Sequence, residues 1–170
     1  MDELVVLCTE DGQEAGTARK TEVHTDSTPL HFAFSTWLFD DEGNLLLTRR
    51  ALSKQTWPGV WTNSFCGHPA PGESFEEAVV RRAREELGTT VAEIRSVLPN
   101  FQYRAVDASG IVENEICPVF FARLDGELNP NPDEIAEYEW TRMADLREAV
   151  ARVPFIFSPW LVEELAEFPA

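Results

Sequence analysis

Short apolar runs separated by turn residues fill the first half of the chain, and two stretches of helical period close it. "ELVVLC" at 3–8 and the aromatic-rich "HFAFSTWLFD" at 31–40 predict strands, as does "NLLLTRR" at 44–50, which follows the hairpin-turn sequence "DEGN". From Ser74 to Leu87 the period becomes helical. Ser74 is the expected N-cap, Glu77 its capping-box partner three residues on, and Gly88 the residue just past the end. Strands are predicted again at 94–104, 111–123 and 136–141, and "MADLREAVARV" and "SPWLVEELAEF" predict two C-terminal helices. Segments mixed in this way predict a layered α/β or α+β fold. No repeat, low-complexity tract or Gly/Ser-rich linker interrupts the chain, so residues 1–170 are expected to form one domain.

The 74–87 helix carries an anomaly. With successive residues placed 100° apart, Phe75, Ala78, Val79 and Ala83 define its buried face, and Arg82 and Glu86 fall in the middle of that face. Two readings follow: an i, i+4 ion pair at the rim of the core, or a pair of charges aimed into a site.

Composition narrows the context. At 170 residues, with 44% hydrophobic and 26% charged residues, the chain can bury a core without disulfides or metal. No apolar run approaches the roughly 18 residues of a membrane span. The acidic start and the three cysteines, an odd number without framework spacing, predict a cytoplasmic protein with reduced thiols. Cys8 and Cys117 read as small buried apolar residues. A net charge of −16 argues against nucleic acid or an anionic membrane as partner, so an anionic small molecule must be met by local cations. Lys20 and Lys54 are the only lysines in the chain.

The histidines are three: His24, His31 and His68. In "VENEI", Glu113 and Glu115 are two apart on a predicted strand and project from one face, where two like charges in an apolar segment call for a cation. Together these five residues make a mixed nitrogen and oxygen set suited to Zn²⁺, Mn²⁺ or Mg²⁺.

The stretch "GHPAPGESFEEAVVRRAREELG", residues 67–88, resembles a Nudix box, with Gly67, Glu73, Arg81, Glu85, Glu86 and Gly88 matching. Arg82 stands where that box carries a glutamate, a change that argues against the alternative function, pyrophosphohydrolysis of nucleoside diphosphates. Wider segments, "HTDSTPLHFAFSTWLF", "TRRALSKQTWPGVWTNSFCGHP", "YRA", "GIVENEICPVF" and "FSPW", resemble the type I isopentenyl diphosphate isomerases in order over about residues 20–160.

The resemblance implies a mixed β-sheet sandwiched between helices and a shift of an alkene by protonation and deprotonation. It implies Cys66, Glu115 and Tyr103 as the proton-handling residues, and His24, His31, His68, Glu113 and Glu115 as ligands of one metal. A second ion, Mg²⁺, would sit on Glu86 and the Cys66 backbone carbonyl. Lys20, Arg50, Lys54 and Arg82 would hold the diphosphate, and the Trp160 indole would stabilise a carbocation. Gly67 is expected to let the backbone turn tightly between Cys66 and His68. The expected partner is a small isoprenoid diphosphate, and the expected state a monomer or weak dimer.

Overall fold

The computed structural model describes residues 3–169. In chain order its elements are β1 (Leu4–Cys8), β2 (Glu14–Arg19), α1 (Lys20–Val23), β3 (His31–Phe32), β4 (Phe34–Phe39) and β5 (Leu45–Arg50). Then come β6 (Trp61–Thr62), β7 (Phe65–Gly67), α2 (Phe75–Leu87), β8 (Val91–Leu98), β9 (Gln102–Val106) and β10 (Val112–Ile116). β11 (Val119–Leu124), β12 (Ile135–Thr141), α3 (Met143–Arg152), a 3₁₀ turn at Pro154–Ile156 and α4 (Pro159–Glu167) complete the fold.

The strands form two mixed sheets, one in the order β2-β1-β3-β10-β9 and one in the order β12-β5-β4-β11-β8, with β6 and β7 added on β5 and β4. The arrangement is α+β. The pairs β3–β10 and β4–β11 are parallel, and the other pairs are antiparallel. These two parallel pairs continue one another, because residues 31–39 and 115–123 run side by side out of the first sheet into the second. The crossing lies at Ala33 and at Cys117–Pro118. Ala33 N donates to Ile116 O at 3.0 Å and Ser35 N to Pro118 O at 3.1 Å.

Strand periodicity explains how the second sheet is covered. Alternate residues leave opposite faces of a strand. Trp37, Leu45, Leu47 and Val119 pack with Leu146, Val150, Trp160, Leu161 and Leu165 of α3 and α4. Phe34, Leu38, Leu46, Phe120 and Ala122 pack with Ala78, Val79, Ala83 and Leu87 of α2. The sheet therefore lies between helices, as the resemblance implied. Cys8 and Cys117 are buried, as expected.

The predicted strand 94–104 is two strands, β8 and β9, separated at Pro99–Asn100, and 111–123 is β10 and β11, separated at Pro118. Proline has no N–H to give a ladder, which is why the apolar pattern runs on while the pairing breaks. β2 was invisible in the pattern because it is an edge strand exposed along most of its length.

α2 begins and ends as its sequence predicts. The Ser74 side chain accepts from Glu77 N and Glu77 reaches back to Ser74 N, a complete capping box. Gly88 adopts the left-handed conformation (φ 61°), with its N–H on the Arg84 carbonyl at 3.2 Å and the Thr89 N–H on the Ala83 carbonyl at 3.3 Å. A Cβ at Gly88 would lie 2.4 Å from the Asn129 carbonyl oxygen. Gly67 requires glycine for a different reason from the tight turn expected: it is not among the positive-φ residues, but a Cβ there would meet Arg82 Cγ at 2.7 Å and Phe34 Cζ at 2.9 Å. The constraint is the close approach of β7 to α2.

Gly88→Ala combines left-handed strain with a backbone clash, so it should destabilise the fold by more than the roughly 1–2 kcal/mol that the strain alone costs. Ser74→Ala should cost about 1 kcal/mol. Urea unfolding midpoints of the two variants test this order; a Gly88→Ala midpoint equal to that of the parent would contradict it.

Candidate active site

Strand register assembles the first half of the site. Glu115 pairs with His31 across the parallel β3–β10 ladder and with Tyr103 across the antiparallel β9–β10 ladder, so the three side chains are cross-strand neighbours. Tyr103 Oη donates to Glu115 Oε2 at 2.8 Å. His68, just after β7, puts Nε2 3.2 Å from Glu115 Oε1. The loop bearing it is clamped by Arg81, which donates to the His68 carbonyl at 3.0 Å and grips Glu73 with Nε and Nη2 at 2.8 and 2.9 Å. His24 closes α1 and places Nε2 3.1 Å from Glu113 Oε2.

The three imidazoles converge, with ring centroids 5.2 to 5.7 Å apart. One ligand atom from each of His24, His31, His68 and Glu115 lies within 4.8 Å of the others, a group that could hold a metal ion. Of the five expected ligands, Glu113 stands beside this group through His24. His31 Nδ1 lies 2.9 Å from Pro29 O, which can only accept, so Nδ1 carries a proton, and Nε2 faces Glu115 Oε1 at 3.4 Å. His24 Nε2, His31 Nε2 and Glu113 Oε2 are buried with no hydrogen-bond partner. Buried ring nitrogens facing carboxylate oxygens without bonding geometry fit a cation placed between them.

The electrostatics agree with that focus. Burial acts to raise the Glu115 carboxyl, but the His31 and His68 imidazoles set against it outweigh burial and hold the group well below the usual carboxylate range. Burial and the neighbouring Glu115 charge push Glu113 up. His68 is lowered to about 4, chiefly by burial, so it is neutral at pH 7. Burial also keeps the Tyr103 hydroxyl protonated.

Cys66, His68, Tyr103, Glu115 and Trp160 line one cavity of about 400 Å³. Burial, and then the proximity of Glu164, push the Cys66 thiol up, so it carries its proton at neutral pH. Its sulfur lies 3.5 Å from Asn63 Oδ1 and 3.7 Å from Ser35 Oγ. Trp160 is anchored by Nε1 on Asn63 Oδ1 at 3.1 Å, with Trp57 edge-on at 5.4 Å. The Arg50 guanidinium lies over its ring, 5.3 Å from the centroid.

Lys20, Arg50, Lys54 and Arg82 all line the same cavity, and each is already engaged. Lys20 pairs with Glu3 at 2.9 Å and Lys54 with Glu134. Arg50 donates Nη2 to the Thr56 carbonyl at 2.9 Å. Arg82 bonds Glu86 and Glu85 and lies 3.5 Å from Glu134. Both readings of the α2 anomaly therefore hold: Arg82 and Glu86 form an i, i+4 pair, and both face the cavity. Glu3 and Glu134, which neutralise the lysines, were not anticipated; they lie in an N-terminal strand flank and a loop, where acidic residues are too common to signal a role. Glu164 was also missed, although Trp160, Leu161, Glu164 and Leu165 set it in a buried helical stripe as plainly as Arg82 is set in α2. Among the described residues, no helix is long and apolar enough to cross a membrane.

A family model described as NUDIX domain matches residues 29–161. The chain is 57% identical over 165 residues to an isopentenyl-diphosphate Delta-isomerase of Kocuria rhizophila, covering 97% of this chain and 92% of that one. It is 59% identical over 165 residues to the protein of that name from Leifsonia xyli subsp. xyli, covering 96% and 89%, and 54% identical over 162 residues to that of Klebsiella pneumoniae, covering 95% and 88%. Among solved structures, DR0079 from Deinococcus radiodurans shares the fold, with a TM-score of 0.67 at 24% identity over 88% of this chain and 90% of that one.

The three imidazoles converge as metal ligands do, so metal affinity should depend on each of them. His31→Ala and His24→Ala should each lower the affinity for Mn²⁺ or Zn²⁺ by at least about tenfold, the scale on which losing even an outer partner of a ligand is felt. Equilibrium dialysis with elemental analysis measures this, and unchanged binding in both variants would mean that the imidazoles serve only the packing.

Proposed function

The chain belongs to the isopentenyl-diphosphate Delta-isomerases, built on a NUDIX domain, and from that membership we propose how its own residues move the double bond between isopentenyl and dimethylallyl diphosphate. The reading rests on one observation above all: the Cys66 thiol and the Glu115 carboxylate line the same cavity. Isomerisation needs one group to give a proton to the terminal alkene carbon and another to take one from the carbon next to the diphosphate-bearing one. Cys66 and Glu115 are that pair, with the Tyr103 hydroxyl on Glu115 to orient and share its proton. Reversal of the reaction exchanges their tasks.

Protonation of an alkene produces a tertiary cation, and the cavity must stabilise it while excluding water that would trap it as an alcohol. The Trp160 indole supplies a π face, supported by its burial and its fixed orientation on Asn63. Lys20, Arg50, Lys54 and Arg82 bind the diphosphate, whose oxygens replace the carboxylates that now neutralise three of them. When bound, a divalent cation (Zn²⁺, Mn²⁺ or Mg²⁺) on His24, His31, His68, Glu113 and Glu115, and Mg²⁺ on Glu86 and the Cys66 backbone carbonyl, supply compensating positive charge. Arg82 in place of a box carboxylate supports chemistry at carbon over attack by water at phosphorus. Residues 1–170 act as one domain, in the cytoplasm, as a monomer or weak dimer; the net charge of −16 supports the absence of a nucleic-acid or anionic-membrane partner, and the three free cysteines support a reducing compartment.

In deuterated water with isopentenyl diphosphate and Mg²⁺, the product should carry deuterium first in a methyl group, the former terminal alkene carbon. Label should enter the carbon next to the diphosphate-bearing one later, as the reaction reverses. NMR of the product and a phosphate assay on the same sample decide the matter, since phosphate release with an unlabelled hydrocarbon would establish hydrolysis instead. Cys66→Ser should keep its fold and metal content and lose about 10²-fold or more in kcat. Near-parental turnover in that variant would remove the thiol from the mechanism.

A further inference from the structure

Glu164 is a buried carboxyl that the chemistry above leaves unused. It is fully enclosed on α4, where leucine would suit the stripe, and burial raises its pKa to about 8, so at neutral pH it is chiefly the neutral acid. Its Oε2 accepts from Trp37 Nε1 at 2.6 Å and from Ser35 Oγ at 2.9 Å, while Oε1 is buried without a partner. A polar group kept at such desolvation cost calls for an explanation.

Its neighbours supply one. Ser35 stands opposite Cys66 in the β4–β7 ladder, so the two side chains leave the sheet on the same face. The single hydroxyl proton of Ser35 goes to Glu164, which leaves the Ser35 lone pairs for Asn63 Nδ2 at 2.8 Å and for the Cys66 thiol. Asn63 Nδ2 also lies within bonding distance of the Thr36 and Phe65 carbonyls, at 3.0 and 3.1 Å. Its Oδ1 is thereby turned toward Trp160 Nε1 at 3.1 Å and Thr62 Oγ1 at 2.9 Å. A flipped Asn63 amide would set its NH₂ against the indole N–H.

We propose that Glu164 is a positioning residue for the isomerisation: as the acceptor for the Ser35 hydroxyl, it sets the direction of the hydrogen bonds through which Ser35 and Asn63 orient both the Cys66 thiol and the Trp160 indole. The inference rests on the roles proposed for those two residues. It requires an acceptor at Glu164 but no charge. A glutamine carbonyl can take both bonds from Trp37 and Ser35, whereas methionine, of similar length, can take neither as strongly.

Steady-state kinetics on Glu164→Met, Glu164→Gln, Ser35→Ala and the Ser35→Ala/Glu164→Met double variant test this, with melting temperature and metal content measured on each. Glu164→Met should lower kcat by about tenfold or more, the scale of a small misplacement, with KM within about threefold. Glu164→Gln should restore kcat to within about threefold of the parent. The double variant should be no slower than its slower single variant, because both substitutions cut one chain of contacts. A folded Glu164→Met enzyme with parental kcat, a Gln variant as slow as the Met variant, or additive losses would overturn the proposal. If Glu164→Met does not fold, Ser35→Ala decides it: a tenfold fall in kcat supports the proposal and a parental kcat overturns it. Failure of the isomerase reading itself would look different, since the parent protein would then place no deuterium in the hydrocarbon.

Discussion

The parallel pairing of His31 with Glu115 is the contact from which the site is built. It sets an imidazole and a carboxylate side by side in a buried strand pair, and a buried carboxylate has to be met by positive charge or hydrogen-bond donors. Everything around them answers that demand. His68 is brought up by the loop that Arg81 and Glu73 clamp, and His24 arrives from the end of α1. Tyr103 completes the carboxylate from the other side of the ladder. The same pairing carries the chain from one sheet into the other, so the fold's crossing and the candidate metal ligands are one structural event.

A second constraint is charge. A chain with a net charge of −16 nevertheless gathers four cations at one cavity and holds three of them on carboxylates. Those ion pairs fix Lys20, Lys54 and Arg82 at the cavity wall. The carboxylates also lower the cost of burying Arg82, whose side chain is largely enclosed. The acidic surface and the cationic pocket are thus compatible because the positive charge is local and the negative charge is spread.

The deeper shell works through neutral groups. Asn63 joins Ser35 and Glu164 on one side to Trp160 on the other, so the thiol and the indole share one support. Buried Ser, Thr and Asn are dense beneath the cavity and supply most of the donors and acceptors of this network.

Much of this was legible before any coordinates. The capping box at Ser74 and Glu77, the stop at Gly88 and the charged pair on the apolar face of α2 are local features, governed by contacts within a few residues, and they stand where their spacing put them. The alternation in "VENEI" likewise put Glu113 and Glu115 on one buried face. What spacing could not supply was the meeting of distant segments. That Ser35 lies against Cys66, that Glu164 reaches Ser35, and that Glu3 and Glu134 hold the two lysines depends on strand register and helix placement, which long-range packing alone decides. The division of the strands into two sheets belongs to the same class, because a proline interrupts a ladder without changing the apolar pattern around it. The sequence by itself determined that α2 turns Arg82 and Glu86 to its apolar face and that Glu113 and Glu115 share one strand face, since those are matters of side-chain type and period. Only the tertiary structure decided their partners, since a hydrogen bond between residues 129 apart in the chain is chosen by the way the layers close.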